Sequence, residues 1–314
     1  MDLVGAAQLF PNSTSATLRP VDGVALARAL ARLMRASEAP WLHAEVARRM
    51  AERLAVIKLR PKVILNWAAR LGGGDGALRL AYAAMAGRPE IRDVEPVPAA
   101  PSGVAAVPPW WSVSRWRRAQ RAPLLPSQVA PGSAQLVWSN MALHAQQDPA
   151  LTIGQWHRCL SVDGFLMFST LGPGSLPELR SLYSDQGWGP AMAPLVDMHD
   201  LGDMLAAAGF ADPVMDQEQM VLTWADAELA LAELRTLGAN VDPHRHRGLR
   251  TPAWRRQLVQ DLRQTARHRA DGRVALTFEV AYGHAFRPPV RARVAPEARV
   301  DLADFRAMTR EPRR

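Results

Sequence analysis

Between Lys62 and Gly74 an apolar run, Val63 to Leu65, ends in the polar Asn66. The chain then passes through Trp67, Ala68, Ala69, Arg70 and Leu71 into three consecutive glycines, Gly72, Gly73 and Gly74. Helical periodicity begins at Leu78. Strand, glycine loop and helix in that order are the grammar of the first βα unit of a nucleotide-type cofactor site. Glycines let the backbone approach a ligand, and the helix N-terminus that follows offers unpaired N–H groups. The usual form carries an acidic residue at the strand end and glycines directly after it. Here Asn66 takes the acidic place, and Ala68 and Arg70 take two of the glycine places. What this chain does turns on whether the altered loop still holds a ligand.

The surrounding pattern predicts an α/β fold. Residues 1–20 are polar and aperiodic and read as a mobile leader. Helices follow over Val21 to Met34 and Leu42 to Ile57, the second with Leu42, Val46, Met50, Leu54 and Ile57 at helical spacing. After the first strand and its glycine loop, Leu78 to Met85 reads as the crossover helix. Ile91 to Glu95 reads as a second strand closed by Pro96. Residues 96–132 are irregular and rich in Pro, Trp and Arg. Strands are expected at Ala134 to Ser139, Gly164 to Thr170, Val214 to Thr223 and Val274 to Phe286. Helices are expected at Asp148 to Leu160, Leu176 to Tyr183, His199 to Ala208, Ala225 to Leu237 and Pro252 to His268. The apolar run from Gly164 suits a strand covered on both faces. Alternating strands and helices predict a mostly parallel sheet between helical layers over 21–286, with a loose basic tail over 287–314.

Composition narrows the function classes. The formal charge of +8 points to anionic partners, although much of the excess lies in the tail and in Arg115 to Arg121. One cysteine, Cys159, excludes an internal disulfide framework and fits a reducing cytoplasm. No basic start followed by an apolar core marks a signal peptide, and no apolar run approaches the ~20 residues that span a bilayer.

From Leu136 onward the residues carry a resemblance. Leu136-Val-Trp-Ser-Asn-Met-Ala-Leu-His144, Trp156-His-Arg-Cys-Leu160, Gly164-Phe-Leu-Met-Phe-Ser-Thr-Leu171 and Gly174-Ser-Leu-Pro-Glu-Leu179 are followed by two shorter matches. Those are Ala232-Glu-Leu-Arg-Thr-Leu-Gly-Ala239 and Ala275-Leu-Thr-Phe278. Together they resemble the class I S-adenosylmethionine-dependent methyltransferases, and more narrowly the malonyl-acyl-carrier-protein O-methyltransferases of biotin synthesis. The resemblance spans roughly residues 41–286. It implies a Rossmann-like seven-stranded methyltransferase sheet with helices on both faces and the last strand antiparallel. It also implies S-adenosylmethionine as cofactor and an acyl carrier protein bearing a malonyl-type group as partner. The sulfonium methyl group would pass to the free carboxylate of that thioester. A carboxylate is already an ionised nucleophile, so no catalytic acid or base is expected, only alignment and exclusion of water.

By position, the resemblance makes Asn66, Gly72, Gly73, Glu95 and Asn140 the cofactor contacts, with Glu95 at the ribose hydroxyls and Asn140 beside the methyl donor. His144 lies just past a strand end and is read either as a substrate contact or as a structural histidine. Arg235, Arg247 and Arg250 fall in the segment that supplies substrate contacts in the family. Arg suits bidentate carboxylate recognition, against the reading that these arginines are merely solvated.

Other residues keep competing readings. Trp110, Trp111, Arg115, Trp116, Arg117 and Arg118 are read as a lid or core padding, as a contact for the acidic surface of a carrier protein, or as a nucleic-acid contact. His244-Arg-His246 is read as a solvated loop rather than a metal site, and Cys159 as an inert core thiol. Ala68, Arg70 and the lack of a placeable adenine-side acid motivate a second hypothesis, a methyltransferase fold that has lost catalysis and acts as a binding or scaffold module. A nucleic-acid methyltransferase ranks last, because no Asn/Asp-Pro-Pro-Tyr type motif is present.

Overall fold

The computed structural model describes residues 19–36, 38–84, 87–96, 122–266 and 271–289. Two helices precede the sheet, α1 (Gly23–Leu33) and α2 (Trp41–Arg53). The body then runs β1 (Val63–Trp67), α3 (Ala69–Gly72), α4 (Asp75–Ala81), β2 (Glu90–Val94), β3 (Ala134–Ser139), α5 (Pro149–Cys159) and β4 (Leu160–Leu171). It closes with α6 (Pro177–Asp185), α7 (Met198–Ala207), β5 (Ala211–Trp224), α8 (Ala227–Leu237), α9 (Pro252–Thr265) and β6 (Val274–Phe286).

The strands form one sheet in the order β2-β1-β3-β4-β6-β5. β2, β1, β3 and β4 pair in parallel, whereas β6 runs antiparallel to both β4 and β5. Connections lead from β1 outward to β2 on one side and then to β3 on the other. The switch point of this open sheet therefore lies at the carboxyl ends of β1 and β3, where such folds bind ligands.

Alternation along the central strands sorts the core into two layers. Ile64, Leu136, Trp138, Phe165 and Met167 face one cluster, packed with Leu42, Val46 and Met50 of α2 and with apolar residues of α6, α8 and α9. Leu65, Val137, Leu166 and Phe168 face the other, packed with Ile153 and Trp156 of α5 and with Leu201 and Leu205 of α7. Both faces of the central strands are buried, as the continuous apolar run in β4 requires.

Three expectations change in detail. The described residues form six strands, not seven. Beyond β2, Leu124 makes a single parallel bridge to Val94, with Leu124 N–H donating to Asp93 O and Glu95 N–H to Leu124 O, both at 2.8 Å. Residues 97–121, which include the Trp/Arg cluster, lie outside the described residues. The loop expected at Gly72 to Gly74 is shorter than read. Ala69–Gly72 winds into a single helical turn, and α4 starts at Asp75, because Gly74 at φ 84° reverses the chain and an acid follows in the first turn. Arg19, inside the expected leader, is buried at 8 % exposure and donates to backbone carbonyls of Pro194, Gln146 and His144. Residues 1–18 and 290–314 are outside the described set.

No helix among the described residues is long and apolar enough to cross a membrane.

Candidate functional site

The loop after β1 keeps two of the three tasks that glycines perform in such a turn and gives up the third. The first is to reverse the chain at the strand end. Ala68 does this in the left-handed region at φ 54°, ψ 45°, at a cost of about 1 kcal/mol for its Cβ. The last is to let the helix start pack closely on the neighbouring strand. Gly72 retains it, since a Cβ there would lie 2.0 Å from the Asn140 carbonyl oxygen. The middle one brings bare backbone against a ligand, and here Arg70 stands instead. Its backbone N–H donates to Glu95 Oε1 at 2.8 Å, and its guanidinium donates to the Met34 carbonyl at 3.1 Å. Gly73, at φ 64°, packs so tightly that an added Cβ would lie 2.5 Å from Ala39 Cβ.

Glu95 directly follows β2 and is buried, with 2 % exposure. Burial pushes its carboxyl up to about 7, with the neighbouring Asp93 adding to the rise and the Arg70 N–H opposing it. Its second oxygen has no hydrogen-bond partner among the described residues. Asn66, expected as a cofactor contact, has a protein partner. It is paired across to β2, with Nδ2 donating to Asp93 Oδ1 at 3.0 Å, and is 1 % exposed.

Asn140 is the knot of the site. Nδ2 donates to Gly72 O at 2.7 Å and to His43 O at 2.8 Å, while Oδ1 accepts from Ser169 Oγ at 2.8 Å. Ser169 Oγ in turn accepts from the Met141 N–H at 3.1 Å. Both amide hydrogens of Asn140 are thus committed. The side chain that the sequence suggests for a methyl donor instead clamps the β1 loop to the ends of β3 and β4.

Two histidines stand beside the clamp. His43 Nδ1 lies 2.9 Å from Leu71 O, and because a carbonyl only accepts, that nitrogen carries the hydrogen. The His144 ring meets it edge-on at 6.4 Å between centroids. Burial lowers His43 to about 4, and burial with the nearby His43 and Arg19 lowers His144 to about 3. Both are neutral near pH 7. In the unfolded chain each takes up a proton near pH 6.5, whereas the fold resists protonation until these lower values. Stability that is complete above pH 6.5 is therefore expected to fall as pH drops toward 4, by up to about 1.4 kcal/mol per pH unit for each histidine. Melting temperature followed across that window checks this, and His43→Gln should flatten the slope.

His144 and Arg235 line one cavity of about 300 Å³ between α1, α6, α8 and the ends of β3 and β4. A second cavity, of about 420 Å³, is lined by Arg70, Leu71, His43, Trp41 and again Arg235. Arg235 thus borders both. Arg247 is exposed and Arg250 donates to Trp188 O while covering the Trp254 ring at 4.5 Å; neither lines either cavity. His244 and His246 join no metal-type cluster among the described residues, and Cys159 is buried and unpaired by disulfide.

The segments that carried the resemblance prove to bond to one another. Trp138-Ser139-Asn140 meets Ser169 of β4, as above. Gly174 to Leu179 locks onto β6: Gly174 N–H donates to Glu279 Oε1, and Glu178 accepts from Thr277 N–H at 3.1 Å and from Thr277 Oγ1 at 2.6 Å. Leu176 takes a left-handed conformation, φ 54°, to start α6. These motifs are fasteners at the edge of the cavity rather than reacting groups.

No family model matches the chain. The malonyl-[acyl-carrier protein] O-methyltransferase of Laribacter hongkongensis is 38% identical over 275 residues, covering 84% of this chain and 89% of its own length. That of Halorhodospira halophila is 35% identical over 280 residues, covering 88% and 92%. Among solved structures, the YcgJ protein of Bacillus aligns over 76% of this chain and 98% of its own at 12% identity and a TM-score of 0.47, too loose to assign a role. With relatives this similar along most of both lengths, the chain belongs to the malonyl-[acyl-carrier protein] O-methyltransferase family.

Proposed function

We propose that the chain methylates the free carboxylate of a malonyl-type thioester held on an acyl carrier protein, using S-adenosylmethionine. Membership of a family so named carries the reading. The site supports it by what gathers at the switch point: a buried acid after β2, a glycine-packed loop after β1, and a cavity beside the ends of β3 and β4.

The cofactor fits at Glu95, whose second carboxylate oxygen is available to accept from a ribose hydroxyl, and at the turn held by Gly72 and Gly73. When bound, S-adenosylmethionine supplies an electrophilic methyl carbon that leaves its bonding pair on sulfur and becomes the ester methyl on a carboxylate oxygen, with no proton moved. The protein's part is orientation. Asn140 fixes the loop against β3 and β4, so the positions of the Gly72 turn and of His144 are set together. His43 and His144 stay neutral and add no positive charge beside a sulfonium. Arg235, exposed and without a side-chain partner among the described residues, would attract the acceptor carboxylate.

Formation of the methyl ester on malonyl-carrier protein by folded enzyme is the test. Its absence when S-adenosylmethionine is demonstrably bound would sink the reading. Glu95 adds a pH signature. Ribose hydroxyls bind the ionised carboxylate, so affinity for S-adenosylmethionine should rise with pH through about 7 and level off above it. Calorimetry at pH 6 and pH 8 should differ by about tenfold, since one pH unit below the pKa costs one factor of ten, and Glu95→Gln should remove the difference.

Arg70 favours a second reading. A side chain where bare backbone meets the ligand, together with Asn66 in the acidic place, suits a chain that keeps the fold and its carrier-protein surface without transferring methyl groups. Cofactor affinity separates the two.

A further inference from the structure

The cavity beside His144 has walls ill-matched to a short polar acceptor. Leu26 and Leu30 of α1, Leu171 at the end of β4, Leu179 of α6, Leu234 of α8 and Phe278 of β6 enclose about 300 Å³, at the small end of ligand-sized spaces. Its polar members are mostly spent on the protein itself. Arg19 is tied to three backbone carbonyls. Asn240 Nδ2 donates to Pro190 O at 2.7 Å, and its Oδ1 accepts from Asp242 N–H at 3.0 Å. With a malonyl group, whose thioester follows its carboxylate closely, this space would have to hold the amide-bearing arm of the carrier. Buried amides want partners, and these walls offer few. An alkyl chain is satisfied by them.

Three polar side chains in the wall remain, His144, Arg235 and Tyr183, the last with a hydroxyl that forms no hydrogen bond among the described residues. The Leu171 N–H points at His144 Nδ1 from 3.5 Å, so that nitrogen accepts and Nε2 carries the ring hydrogen. Nε2 forms no hydrogen bond among the described residues. Arg235 borders both this cavity and the one beside Arg70 and Leu71, and its guanidinium is unpaired among the described residues. A neutral donor, a cation on the side of the cofactor loop and aliphatic walls together describe an ω-carboxylate with a chain behind it.

We propose that this cavity is an acyl-chain pocket, which takes the alkyl segment of ω-carboxyacyl thioesters longer than malonyl, with His144 Nε2–H and Arg235 on the terminal carboxylate. The proposal rests on the acceptor-carboxylate reading above and extends its range. Calorimetry with three-, five- and seven-carbon ω-carboxyacyl pantetheine thioesters tests it. Affinity is expected to rise about fourfold per added methylene, the equivalent of ~0.8 kcal/mol each, so the longest should bind more than a hundredfold tighter than the shortest. Filling the cavity with Leu234→Trp should collapse that ratio toward one. Leu30→Phe, on the opposite wall, serves if the first variant fails to fold. A flat series in the wild type overturns the pocket, as does a steep series that both fillings leave unchanged. A steep series without methyl ester on any acceptor overturns the transferase reading and leaves the pocket standing. Methyl ester on malonyl-carrier protein with a flat series does the reverse.

Discussion

Gly72→Ala is expected to destabilise the protein by about 3 kcal/mol, the upper part of the range for forced overpacking. The added methyl would lie 2.0 Å from the Asn140 carbonyl oxygen and 3.0 Å from its carbonyl carbon. Both are backbone atoms, so no rotamer change relieves the contact. Nor can the Asn140 backbone retreat cheaply, because its side chain is held to Gly72 O, His43 O and Ser169 Oγ. Gly76→Ala is the matched control. An added Cβ there meets nothing within 4 Å, and in the first turn of α4 alanine is the better helix former by up to ~1 kcal/mol. Urea unfolding of both variants should give opposite signs. If Gly72→Ala unfolds at the wild-type midpoint, the close packing of loop on strand is wrong.

Asn140→Asp is the second large effect, from an almost isosteric change. Two N–H donors are replaced by an oxygen facing the carbonyls of Gly72 and His43 in a site with 1 % exposure. An ionised carboxylate there would be repelled by both carbonyls, a loss of about 3–5 kcal/mol. The folded protein therefore holds the new acid protonated, with its pKa raised above the unfolded value near 3.9. The sign follows: the deficit relative to wild type should be largest at neutral pH and should shrink as pH falls toward that unfolded pKa. Ser169→Ala, which removes one partner from the same network and leaves the Met141 N–H unsatisfied, should cost less, about 1–3 kcal/mol. Denaturation midpoints at pH 5 and pH 8 separate a charge effect from a simple packing loss, which would not move with pH.

The layered sheet was legible because burial on both faces leaves a plain mark: Gly164 to Thr170 is apolar at both parities, and β4 feeds both core clusters. The strand and helix order followed from the same periodicities, with β3 and β6 found at their observed bounds. The seven-strand expectation met only a Leu124–Val94 bridge at the outer edge, where irregular sequence carries no alternation to read. The site was legible in position and less so in role. Asn140 and Gly72 were picked out, yet their bond to each other depends on two chain segments meeting at a switch point, which no local pattern announces. Arg19 left no mark, as one arginine in an aperiodic polar stretch. His43 left a faint one: it shares the buried face of α2 with Leu42, Val46 and Met50, where a polar residue needs a partner. Arg247 and Arg250 matched by segment alone, and segment position does not tell a cavity wall from a stack on Trp254.

Calorimetric titration of the wild type and Glu95→Ala with S-adenosylmethionine tests most directly whether the β1 loop still holds its ligand with Arg70 in the glycine place. Micromolar affinity in the wild type, weakened a hundredfold or more when the buried acceptor is removed (about 2.7 kcal/mol), is the expected result. No heat with millimolar ligand on folded wild-type protein would contradict it and leave a methyltransferase fold that serves as a binding module.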